Sequence, residues 1–194
     1  MDPALQPGDI FLTRGSSFVS RAIRFFTRHI GESRTKVNHV GLVVQGGSIR
    51  EAVVVEALRK VERHRLIDAY GGESDEVAIF RPVRLNVQQL HLVVAMANGY
   101  VGRRYGYGKI ALHVLDWVMQ GAYVFRRLGN MDDYPICSWL VARAYCAVNM
   151  HFGVAPGAAT PDDIWDYVTT HPAEFIRVRG LERVQAEPVR AAAA

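Results

Sequence analysis

The sequence predicts a single α+β domain, a small antiparallel sheet flanked by helices. Short runs rich in β-branched and apolar residues, bounded by turn residues, crowd positions 8–83. Segments with helical spacing and helix-start signals dominate positions 86–171. No repeat, low-complexity linker or composition break divides the 194 residues, so one core is expected.

The elements follow in order. GDIFLTR at 8–14 reads as a strand behind a Pro-Gly turn. SSFVSRAIRFFTRHI at 16–30 reads as an amphipathic helix. Phe18, Val19, Ala22, Ile23, Phe26 and Ile30 form its apolar side, and Arg21, Arg24 and Arg28 its basic side. VNHVGLVVQ at 37–45 and EAVVVEAL at 51–58 flank a Gly-Gly turn and read as a hairpin. VAIFRPV at 77–83 is a further strand whose proline marks an edge or an end. NVQQLHLVVAMANGYVG at 86–102 opens with Asn86 and carries Gln89 three residues on, a capping-box start. KIALHVLDWVMQGAYVF at 109–125 and PICSWLVARAYC at 135–146 read as helices. TPDDIWDYVTTH at 160–171 has Thr160 as cap, Pro161 in the first turn and early aspartates. EFIRVRG at 174–180 is a last strand, so residues 1–180 are expected as the domain and 181–194 as a mobile tail.

Composition narrows the function. With 49% hydrophobic and 22% charged residues the chain is an ordinary globular one. Its net charge of +4 comes mainly from scattered arginines, without the dense basic stripe and interleaved aromatics of a nucleic-acid binder. Contact with an anionic membrane surface through the 16–30 helix stays open, but a solvated basic face is the plainer reading. MDPALQPGDI lacks a basic segment followed by an apolar stretch, so a cytoplasmic location is expected. The longest apolar run, 110–125, contains His113 and Asp116 and is shorter than a bilayer requires.

Both cysteines, Cys137 and Cys146, lie in one predicted helix. Nine residues turn a helix through roughly 180° and advance it roughly 13 Å, so the two thiols face apart and a mutual disulfide is excluded. Cys137 follows Pro135 at the expected helix start, where backbone N–H dipoles favour a thiolate and offer donors to an oxyanion. A small buried hydrophobe is the alternative for Cys137, and packing is the plain reading of Cys146. His39 stands in a strand, which holds a side chain rigidly enough for a general base. Glu56, among valines in the next strand, is costly there unless paired or facing water, and a carboxylate that orients an imidazole would account for it. Zinc-site spacing, HExxH, a phosphate loop and a GxSxG elbow are all absent, so neither metal nor organic cofactor is expected.

PGDIFL, NHVGLVV, VVEAL and ICSWLVARAY, in that order, resemble the circularly permuted branch of the NlpC-type, papain-like cysteine peptidases and amidases, with YiiX-like proteins among them and lecithin retinol acyltransferases as relatives. Those pieces occur here with the cysteine helix moved to the end, over most of residues 6–150. The resemblance implies Cys137 as nucleophile, His39 as base and Glu56 as the residue that orients the histidine. GRRYGYG at 102–108 is similar to the family's G-x-x-Y-x-x-G segment, which makes Tyr105, or equally Tyr107, a candidate for the substrate or oxyanion side. Ser138 and Trp139 join them there, Trp139 replacing the family's usual small or acidic residue. NCEHF, the acyltransferase signature, is absent.

The expectation is therefore a thiol hydrolase acting on an amide or isopeptide bond of a small, cell-wall-type peptide or other acyl-amide. A lipid-directed thioesterase or acyltransferase, and a catalytically silent binding module on the same fold, are the alternatives.

Overall fold

The computed structural model describes residues 4–14, 36–72, 75–104 and 136–184. The helices expected at 16–30 and 109–125 and the tail beyond residue 184 lie outside the described residues. Among the described residues no helix is long and apolar enough to cross a membrane.

A six-stranded antiparallel sheet organises the chain, in the order β4-β3-β2-β1-β5-β6. Its strands are β1 (Ile10–Arg14), β2 (His39–Gln45), β3 (Val53–Ala57), β4 (Val61–Arg65), β5 (Glu76–Pro82) and β6 (Phe175–Arg183). The helices are α1 (Leu66–Tyr70), α2 (Val87–Gly99), α3 (Cys137–Cys146) and α4 (Pro161–Thr170). The expected β2–β3 hairpin forms, with Leu42 opposite Val55. Pro82 is the last residue of β5, which sits inside the sheet between β1 and β6, so the proline marks an end and not an edge. The last strand runs on to Arg183, three residues into the segment expected as a tail.

Strand alternation divides the core into two faces. Ile10, Leu12, Val40, Leu42, Val55 and Ala57 face the helices, where they meet Trp139, Leu140, Val141, Ala144 and Tyr145 of α3. Phe11, Val43, Val54 and Ile79 face the other way and pack with Leu66 and Tyr70 of α1. Each large side chain buried this completely contributes about 1.5–3 kcal/mol. α3 lies on β2 and β3 and against α2, which carries the first residue of α3 to the start of β2.

Local chemistry fixes the ends of these elements. α2 begins with a complete capping box: the Asn86 side chain accepts from Gln89 N, and Gln89 Oε1 accepts from Asn86 N. α4 does the same with Thr160 and Asp163. At the Pro7-Gly8 turn, Gly8 has φ +92°, a conformation that L side chains rarely adopt, and its carbonyl accepts from the Tyr145 hydroxyl at 2.5 Å. Beside it, buried Asp9 accepts from Arg81 Nε at 2.8 Å and Nη2 at 2.7 Å, a two-pronged tie from the residue just before β1 to β5.

Candidate active site

The candidate residues come from three elements. His39 is the first residue of β2, Glu56 lies in β3, and Cys137 is the first residue of α3. The hydrophobic pattern brings the first two together. Val40 and Leu42 must face the helices, so His39 and Gly41 face the opposite side of β2; Val55 likewise turns Glu56 to that side of β3. Gly41 makes room on this side for the Phe11 ring and Glu56. A Cβ there would stand 2.4 Å from Phe11 Cε1 and 2.9 Å from Glu56 Cβ, closer than any real side chain tolerates.

Glu56 is fully buried, and β4 covers the edge of β3 that would otherwise expose it. Its Oε2 takes a very short contact from His39 Nε2 and a hydrogen bond from the Tyr70 hydroxyl at 2.5 Å. Its Oε1 lies 2.7 Å from His64 Nε2 as an ion-pair contact, off the line of an ideal hydrogen bond. The Phe11 ring closes the floor, with centroids 6.4 Å from His39 and 5.6 Å from Tyr70.

The Cys137 sulfur meets the His39 imidazole and receives the backbone N–H groups of Val40 and Ser138. An ionised carboxylate only accepts, so His39 Nε2 carries a proton toward Glu56, and Nδ1 is the ring nitrogen left for the sulfur. α3 begins without a side-chain cap, which leaves its first N–H groups directed at the site.

Electrostatics couples the groups. Burial opposes ionisation of Cys137, but the charge and hydrogen bond of His39, together with the two backbone N–H groups, lower its pKa below the ordinary thiol value. Burial likewise opposes protonation of His39, and the charges and hydrogen bonds of Cys137 and Glu56 overcome it, raising the imidazole to about 10. For Glu56, burial would push the pKa up; the charge and hydrogen bond of His39, the ion-pair contact of His64 and the hydrogen bond of Tyr70 bring it down to about 2. These are the shifts of a thiolate–imidazolium pair backed by an ionised carboxylate.

The other expected site residues stand differently. Tyr105 and Tyr107 lie outside the described residues. The Ser138 hydroxyl is buried and donates to Ala159 O at 2.6 Å, so its contribution at the sulfur is the backbone N–H. Trp139 is buried between α3 and α2, edge-on to Tyr100 at 5.1 Å, and its side chain fronts no open surface. Cys146, read from the sequence as a packing residue, is a free, half-buried thiol at the last residue of α3.

Two residues that touch Glu56 escaped the sequence reading. His64 belongs to β4, whose sequence VERHR is too charged to read as a strand, and Leu58–Lys60 before it lacks glycine, asparagine or proline. Tyr70 closes a five-residue helix without a side-chain cap. The alternation of Glu62 and His64 against Val61, Arg63 and Arg65 was the available signal.

No family model matches the chain, and no curated protein matches it in sequence. The crystal structure described as metalloprotein yiiX from Escherichia coli O157:H7, DUF1105, is similar in fold. Its TM-score is 0.52 at 21% identity, covering 94% of this chain and 89% of that one. The likeness extends to the α+β architecture. That protein is called a metalloprotein; among the described residues here, no group of three or more His, Cys, Asp or Glu side chains is arranged to hold a metal ion.

Proposed function

We propose that the protein is a cysteine hydrolase that cleaves an amide or isopeptide bond through a thioester. The contact chain from Cys137 through His39 to Glu56, with the thiol pKa lowered, carries this reading. The small-peptide substrate class rests on the sequence resemblance.

The Cys137 thiolate attacks the carbonyl carbon, and the resulting oxyanion is held by the uncapped start of α3, the Cys137 N–H foremost. Protonated His39 gives its Nδ1 proton to the leaving amine as the C–N bond breaks, and a thioester remains. His39 then takes a proton from water as the hydroxide adds. Collapse expels the Cys137 thiolate, releases the acid and restores the pair. Glu56 holds the imidazole by Nε2 throughout and favours its protonated form.

The test is selective alkylation by iodoacetamide near neutral pH, with Cys146 as internal control. Cys137 is expected to react at least about tenfold faster than an ordinary thiol, because its thiolate fraction is higher. Replacement of His39 by alanine is expected to abolish that advantage, and Cys137→Ala to abolish hydrolysis of isopeptide-containing peptides. A Cys137 thiol no faster than Cys146, or one indifferent to His39→Ala, refutes the proposal.

A further inference from the structure

The ionised site contains two anions, the Cys137 thiolate and the buried Glu56 carboxylate, but its catalytic imidazolium supplies only one positive charge. An uncompensated negative charge in so buried a place disfavours the thiolate. β4 provides the remedy. It pairs with β3 so that Glu62 lies opposite Glu56 and His64 opposite Val54, which sets His64 diagonally across from Glu56 on the same face. Its Nε2 reaches the Glu56 oxygen not held by His39, and the side chain is 20% exposed, so a proton can exchange with solvent.

We propose that His64 is a positioning residue that sits protonated on Glu56 Oε1 and balances the carboxylate's charge, so that Glu56 can orient His39 without suppressing the Cys137 thiolate. This inference rests on the hydrolase reading above. The surroundings of His64 favour its cation. Glu56 faces it from β3, Glu62 from its own strand and Asp68 from α1. The Tyr70 hydroxyl is engaged on the same carboxylate. Arg65, the cation beside it in sequence, is exposed and occupied by Asp68 at 2.9 Å. Contact with Glu56 raises the His64 pKa first, against burial, and the charges of Glu56, Glu62 and Asp68 add to it.

Removal of a cation raises the pKa of its neighbours, so its loss moves the acid limb of thiol reactivity to higher pH. Alkylation of Cys137 by iodoacetamide at about pH 5 and about pH 9 reads this, both values lying well to either side of the ordinary imidazole pKa. In His64→Gln, which keeps a donor but cannot charge, the ratio of the acid rate to the alkaline rate is expected to drop about tenfold, one pKa unit. His64→Lys, which restores a cation, is expected to recover at least half of that ratio on a logarithmic scale. A ratio equal to wild type in His64→Gln, including an equal loss of rate at both pH values, overturns the inference and leaves the hydrolase reading intact. Equal ratios in the Gln and Lys variants overturn the charge role as well. A wild-type thiol of ordinary reactivity overturns the hydrolase reading and this inference with it.

Discussion

Replacement of Glu56 by glutamine removes one negative charge and leaves the shape of the side chain almost unchanged. Its pKa falls from 4.5 to about 2 on folding, and that difference is worth about 3 kcal/mol of stability when the carboxylate is ionised. A group with a depressed folded pKa contributes fully above its unfolded pKa, and the contribution is lost as pH falls through the folded value. At about pH 6, where the unfolded imidazoles are largely charged too, Glu56→Gln is expected to cost about 3 kcal/mol. The gap then shrinks by about 1.4 kcal/mol per pH unit below the unfolded carboxylate pKa, leaving about 2 kcal/mol near pH 3.5. Paired urea titrations of the two proteins at these pH values measure it. A cost below about 1 kcal/mol at pH 6 would mean that burial cancels the ion pairs, as happens at some buried salt bridges. A cost that stays constant into acid would assign it to packing. Either result refutes the charge-based account of Glu56.

The remaining predictions concern the same frame. Ultraviolet thiolate absorbance of Cys137 should titrate below the ordinary thiol range and hydrolysis should decline again as His39 loses its proton near about 10, because the active pair exists only between the lowered and the raised pKa. Gly41→Ala should lose at least about 1–3 kcal/mol in denaturant titration, since its Cβ would overlap the Phe11 ring and crowd Glu56. Tyr70→Phe removes a charge-assisted donor to Glu56 and should cost about 1.5–3 kcal/mol by the same measurement. Asn86→Ala, which breaks the capping box of α2 far from the thiol in sequence, should cost about 1 kcal/mol and leave alkylation of Cys137 unaltered.

Much of the scaffold was legible in the sequence because local signals agree with the tertiary outcome. The Asn86 and Thr160 capping boxes marked their helices, and runs rich in valine on either side of the Gly-Gly turn marked β2 and β3 as a hairpin. A resemblance in motif order selected Cys137, His39 and Glu56, and each residue type suits its chemistry in isolation. Neither source could see β4. The pattern of VERHR is set by an edge strand that faces water on one side and a buried carboxylate on the other, so it lacks the apolar alternation by which strands are read.

By itself, then, the sequence determined most of the described helices and strands, β4 and α1 excepted, and which side chains are able to do thiol chemistry, since both depend on neighbours close along the chain. Only the tertiary structure decided the environment of Glu56. As an outward-facing carboxylate on an edge strand it would be ordinary. Once β4 pairs with β3 and α1 folds over the face, it is sealed among His39, His64 and Tyr70. Burial, charge balance and a shifted pKa arise from groups distant in sequence and close in space, and antiparallel register is what brings them together.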